Sequence, residues 1–99
     1  MPQETTATDH PPAKFSLGEI AATANARDSI PHEEILHALS RHVRGDWGML
    51  EPDDWNANVR ALTRGGRLFS SYRSTENVKF YIITECDRSR TTALLPEDY

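Results

Sequence analysis

The sequence predicts an α+β domain in the order β-α-α-β-β-β, with two helices packed on one face of a small antiparallel sheet. Three observations carry this. Residues 67–95 fall into three runs of alternating or β-branched and aromatic residues, separated by polar turns. Two upstream stretches repeat apolar residues at steps of three and four, each with a proline and acids early and a glycine at the end. Residues 15–22 alternate once more ahead of both helices. A three-strand meander needs something to bury one of its faces, and the helices supply it.

Taken in order, residues 1–14 are polar, carry His10-Pro11-Pro12 and show no apolar period, which predicts a disordered tail ahead of a single domain over residues 15–99. Phe15 to Ala22 reads as a first strand weakened by Gly18, hence an edge strand or one with a bulge. Ser29 is the expected N-cap of the first helix. Pro31 suits its first turn, and Glu33 and Glu34 favour the positive helix start. Ile35, Leu36, Leu39 and Val43 form the expected apolar stripe, and Gly45 ends the helix. The second helix opens at Glu51-Pro52-Asp53-Asp54, presents Trp55, Val59 and Leu62, and ends at Gly65-Gly66. Leu68, Ser70 and Tyr72 share one face of the next strand. Ser74 to Asn77 is a hairpin turn. Val78 to Thr84 is apolar at nearly every position, as a central strand covered on both faces is. Residues 85–90 are a charged connection, Thr91 to Leu95 is a last short strand, and Pro96 stops it.

Ninety-nine residues with 37% hydrophobic content support one modest core. The net charge of −4 sets the chain apart from typical nucleic-acid binders, which rely on attraction to the phosphate backbone. Nine of the eleven basic residues are arginines. That favours defined pairing over diffuse solvation, although GC-rich coding gives the same bias. The one cysteine, Cys86, rules out an internal disulfide and a cysteine-based zinc motif. Its neighbours Glu85 and Asp87 disfavour the thiolate. No basic region followed by an apolar run opens the chain, and no stretch reaches membrane-spanning length. A cytoplasmic protein with no cofactor, no metal and no membrane partner is the expectation.

His32, His37 and His42 recur at steps of five on the first helix. Neighbouring ones diverge by about 140° and cannot share a metal. His42 lies by the apolar stripe, as a hydrogen-bonded core histidine does. The loop Arg44-Gly45-Asp46-Trp47-Gly48 is the most distinctive. Trp47 needs a place for a ring of about 200 Å²: it either plugs one end of the core, with Asp46 bonding loop amides, or is an aromatic presented to a partner. Glu51, Asp53, Asp54 and Asp46 form an acidic cluster. Arg60 and Arg64, with Asn56, share a helix face that is either solvated or a shallow anion site. Asp87, Arg88 and Arg90 sit on a loop beside the sheet, where function tends to collect. The candidate binding residues are therefore Asp46, Trp47, Asp54, Arg73, Asp87, Arg88 and Arg90, with no catalytic residue assigned.

The segments His42-Val43-Arg44-Gly45-Asp46-Trp47-Gly48, Gly66-Arg67-Leu68-Phe69-Ser70-Ser71-Tyr72 and Tyr81-Ile82-Ile83-Thr84-Glu85-Cys86-Asp87-Arg88, with the ending Leu94-Leu95-Pro96-Glu97-Asp98-Tyr99, resemble a family of small bacterial proteins. That family is carried on plasmids, phages and integrated elements and is sometimes labelled as type I restriction enzyme subunits. The resemblance spans about residues 15–99. It implies a mobile-element accessory protein that binds a host or element-encoded protein, with a role against host defence systems. It supplies no active-site residues, and the chain has neither the length nor the motifs of a methyltransferase. The predicted strand-helix-helix-three-strand order also resembles the RelE/ParE toxin superfamily. That resemblance implies an RNA-targeting toxin or a non-catalytic relative, with Arg73, Lys79, Arg88, Arg90 and Tyr99 as the nearest candidates. Those toxins are usually strongly basic, whereas this chain is acidic. Shared topology is weak evidence for shared function, so nucleic acid is the less favoured partner.

Overall fold

The computed structural model describes residues 12–99. The first eleven positions of the tail expected over residues 1–14 lie outside that range. Within it, the Lys14 N–H already donates to the Val43 carbonyl at 2.8 Å. The elements are β1 (Glu19–Ala22), α1 (Ala24–Ser29), α2 (His32–Val43), α3 (Pro52–Arg64), β2 (Leu68–Arg73), β3 (Lys79–Thr84), β4 (Arg90–Leu94) and a closing 3-10 turn (Pro96–Asp98). This is the expected α+β order with one short helix added.

The sheet order is β1-β4-β3-β2. The β2–β3 and β3–β4 pairs are antiparallel, as their short turns dictate. β1 runs parallel to β4, so the sheet is mixed rather than wholly antiparallel. A strand joined to the rest only through the helices is free of the hairpin constraint that forces reversal.

Side-chain alternation divides the sheet into two faces. Leu68, Ser70, Tyr72, Phe80, Ile82, Thr84, Thr91 and Ala93 share one face by register, and all are buried. Ile35, Ala38 and Leu39 of α2 pack onto its Tyr72, Phe80, Ile82 and Ala93. A second cluster sets Trp47 and Ala61 against Leu68, with Phe15, Leu50, Trp55 and Leu62 around them.

Several local expectations shift. Ser29 ends α1, which Thr23 caps by accepting from the Ala26 N–H at 3.1 Å, and Pro31 is the residue at the start of α2. The buried positions of α2 are Ile35, Ala38, Leu39 and His42, while Leu36 is half exposed. On α3 the buried positions are Asn58 and Ala61; Val59 faces outward. Small and polar residues sit inside here because α3 lies close against the edge of β2 and bonds to it. Phe15 lies outside β1 and packs instead on His42 and Trp47, at ring-centroid distances of 5.3 and 6.2 Å.

That edge of β2 is closed. Asn58 bonds the outward N–H and C=O of Phe69. Ser71 receives the same treatment from the chain at 47–49: its N–H donates to the Trp47 carbonyl at 3.1 Å, and its carbonyl accepts from the Met49 N–H at 2.8 Å. Gly48 makes this approach possible. It has φ +77, and a Cβ there would collide with the Ser71 carbonyl.

Candidate functional site

The helices leave the other sheet face uncovered. Register places Phe69, Ser71 and Arg73 of β2, Lys79, Tyr81 and Ile83 of β3, and Thr92 and Leu94 of β4 on it. The chain returns over this face after β4, and the 3-10 turn sets Tyr99 onto it. The Phe69 and Tyr81 rings lie 4.6 Å apart. Tyr99 stands nearly upright on both, at 5.9 Å and 72° to Phe69 and 6.0 Å and 81° to Tyr81. Ile83 and Leu94 are buried, Phe69 and Tyr81 are half-buried, and Tyr99 is 68% exposed. Three aromatic rings therefore stand between a small apolar floor and solvent. Cations flank them: Lys79 Nζ is 5.7 Å from the Tyr81 ring centre and the Arg67 guanidinium 6.0 Å from that of Tyr99.

The turn is anchored from behind. Asp98 accepts from the Thr23 hydroxyl at 2.6 Å, the Asn25 amide at 2.7 Å and the Leu95 N–H at 3.1 Å. These bonds, the Thr23 bond first, hold its carboxyl below the usual carboxylate range. Tyr99 is thus presented on a tied turn.

Between this face and α3 runs a groove of about 340 Å³. Asp54, Ala57 and Asn58 line one side, and Arg67, Phe69 and Tyr99 the other. Glu51 and Asp53 are exposed on the same end of α3 as Asp54. None of the three acids belongs to an ion pair among the described residues, whereas Arg67 lies 3.9 Å from Glu85 and Arg90 3.1 Å from Glu19.

The residues expected to bind are scattered. Asp54 lines the groove, and Arg73 stands on the open face as the cross-strand partner of Lys79. Arg90 heads β4, paired to Glu19. Asp87 turns back on the Ser89 N–H at 3.0 Å. Asp46 forms a two-point pair with Arg41, at 2.8 and 3.2 Å, and accepts from the Gly48 N–H. The Arg41 guanidinium is the main reason its carboxyl lies low. Trp47 is 1% exposed and plugs the core, so it presents nothing to a partner. Arg88 also turns inward. Its guanidinium donates to the carbonyls of Ala61, Gly66, Glu85 and Cys86, which ties the end of α3 to the β3–β4 loop.

His42 sits deepest of the titratable groups that geometry makes interesting. Nδ1 is 2.5 Å from Ser70 Oγ and Nε2 is 2.9 Å from Thr84 Oγ1. Thr84 and Thr91 share a bond of 2.7 Å, and the Thr91 hydroxyl donates to the Leu17 carbonyl at 2.7 Å. Because Thr91 spends its proton on Leu17, Thr84 must donate to Thr91, and His42 must donate from Nε2 to Thr84. Nδ1 then accepts from Ser70. The serine–histidine pair is therefore one link of a closed core network with a single direction, ending at a backbone carbonyl. Burial, with the Arg88 charge second, lowers the His42 pKa to about 3 and keeps the ring neutral.

The aromatic cluster was missed by sequence reasoning. Phe69 and Tyr81 fall on the face that alternation marks as opposite Leu68 and Tyr72, so their pairing was legible in principle. Tyr99 is a sequence candidate only through the RelE/ParE resemblance, and its place beside Phe69 and Tyr81 depends on the turn after Pro96. Comparison with protein-family models, with curated proteins and with solved structures finds no match to this chain.

Proposed function

We propose that this protein is a protein-binding accessory factor of a mobile genetic element, acting in the cytoplasm on a host or element-encoded protein and directed against host defence systems, with the open sheet face as its binding surface. The observation that supports this reading is the Phe69–Tyr81–Tyr99 cluster, half-open to solvent on a rigid sheet whose other face is covered. Exposed aromatic residues on a rigid frame are what anchors at protein interfaces look like. The likeness to small plasmid- and phage-borne proteins supplies the mobile-element setting.

A RelE/ParE-like RNA-targeting role is the second reading, favoured by Arg73 and Lys79 standing side by side on the same face. The other basic candidates weigh against it. Arg88 is spent on backbone carbonyls and Arg90 on Glu19, while the acids of α3 border the surface. Beyond Arg73 and Lys79, a phosphate backbone would find the nearby cations already engaged with backbone carbonyls or acids.

The test is a pull-down from bacterial lysate with the tagged full chain, split into RNase-treated and untreated halves, beside a Tyr81→Thr/Tyr99→Ala variant checked for folding by circular dichroism. The expected result is a stoichiometric protein partner that survives RNase and is lost from the variant. Ribosomal material lost on RNase treatment would overturn the reading in favour of the RNA-targeting one.

A further inference from the structure

The groove between α3 and the open face has a composition that specifies what enters it, given the protein-binding reading on which this inference rests. We infer that it holds an extended peptide segment of the partner, with a proline or aliphatic side chain seated on Phe69 and Tyr99 and a neighbouring lysine or arginine paired to Asp54.

Strand addition is closed at this edge. Asn58 occupies both outward backbone groups of Phe69, and residues 47–49 occupy those of Ser71. Recognition there falls to side chains instead. The Phe69 and Tyr99 rings meet at 72°, one face against one edge, and leave an apolar notch with Ala57 opposite. A pyrrolidine ring or a branched aliphatic group fits such a notch, as in other aromatic-lined peptide grooves. At about 340 Å³ the groove has room for a few side chains and none to spare for a folded element.

Charge selects the neighbour. Asp54 stands on the α3 wall, with Glu51 and Asp53 at the same helix end, and none of them is ion-paired among the described residues. The cation on the facing wall, Arg67, is answered by Glu85 at 3.9 Å and by the Tyr99 ring. Asp54 is the lining charge that has no ion-pair partner among the described residues, so the segment that complements the α3 wall is basic at that position. Phosphate or an acidic peptide would be repelled from the same wall.

A random peptide display library panned on the full chain, followed by anisotropy titration of a labelled enriched peptide, tests this. Enriched sequences should set Lys or Arg within a few residues of a proline or aliphatic residue. Asp54→Lys should weaken the peptide roughly tenfold. Replacing the basic residue of the peptide with glutamate should restore binding to Asp54→Lys and abolish binding to the wild type. Asp54 is exposed in the first turn of α3, where a lysine opposes the helix dipole. A modestly lowered melting temperature with an intact cooperative transition and unchanged circular dichroism would therefore confirm that the variant folds. Absence of enrichment, enrichment without a basic residue, equal affinity for both proteins, or displacement by oligouridylate would each overturn the inference. The broader reading is separable. A cellular partner that leaves Tyr81→Thr/Tyr99→Ala but binds Asp54→Lys undiminished removes only the groove assignment, whereas one that keeps both variants removes the surface as well.

Discussion

Asn58 bonds both backbone groups of Phe69, donating from Nδ2 to its carbonyl at 2.7 Å and accepting its N–H on Oδ1 at 3.1 Å. One helical amide thus does what a neighbouring strand would do, and an edge that would otherwise invite pairing is satisfied within the chain. Asn58 is 4% exposed, so little water can replace it. Asn58→Ala should cost about 1–3 kcal/mol, read as a lower urea midpoint at unchanged slope. It should also increase aggregation at high protein concentration. An unchanged midpoint would mean that water satisfies Phe69 unaided.

Gly48 supports the same edge two residues further along β2. Its φ of +77 and the Ser71 carbonyl in the path of a Cβ leave no room for a side chain. Gly48→Ala should therefore destabilise by about 2 kcal/mol or more, through backbone strain and loss of the 47–49 bridge. Amide exchange at Ser71 and Met49 should accelerate beyond what the global loss explains. Uniform acceleration would show that the bridge has no local role.

His42 makes stability depend on pH in a defined window. Its folded pKa of about 3 lies below the ordinary histidine value of 6.5, so the unfolded chain binds a proton that the folded chain refuses. Stability is then complete above pH 6.5 and falls as pH drops from there toward 3. The carboxylates held low by hydrogen bonds and charge (Glu34, Asp46, Asp87 and Asp98) weaken the fold in the same direction, but only near and below their ordinary values of 3.8–4.5. Between pH 6.5 and 5 the histidine acts alone, and the expected loss is about 2 kcal/mol, at about 1.4 kcal/mol per pH unit. Urea titrations at the two ends of that range check it. His42→Gln, though less stable, should show a flat response, and a flat wild-type curve would contradict the neutral buried ring.

The order of elements along the chain, the start of α3 and the C-terminal ends of both long helices are legible because they depend on local chemistry. Pro52 near the start of α3, and Gly45 and Gly65 in left-handed conformations at the helix ends, are positions where few other residues serve. Helix rotation was less legible. An apolar count puts Leu36 and Val59 inside, whereas Asn58 is buried because Phe69 of β2 satisfies it. His42 is legible as a core histidine from its place by the apolar stripe, but its partners Ser70 and Thr84 are not. Such partnerships span 11 to 42 residues and leave no periodic trace. The same limit hid the groove, where α3, β2 and the last residue meet only through the fold. Arg88 reads in sequence as a loop cation for a partner. Its inward turn follows from carbonyls that converge from the end of α3 and the β3–β4 loop, among them that of Ala61, which also accepts from the Gly65 N–H, and no local pattern announces that convergence.

Arg88 joins two of these effects, and substitutions can separate them. The guanidinium reaches Ala61 at 2.9 Å and Gly66 at 2.6 Å with different nitrogens, a span that a single ammonium cannot cover. Its charge also helps to hold His42 neutral, second to burial. Arg88→Lys should lose about 2 kcal/mol of stability through the broken carbonyl bonds while leaving His42 depressed, because a cation remains nearby. Arg88→Met should lose a similar amount and also let the His42 pKa rise, though not to its ordinary value, since the ring stays buried. Ring-proton NMR of His42 across pH 3 to 7 in each folded variant reads the second effect apart from the first. If the histidine titrates identically in Arg88→Met and the wild type, burial alone sets its pKa, and Arg88 serves only as the clamp on α3.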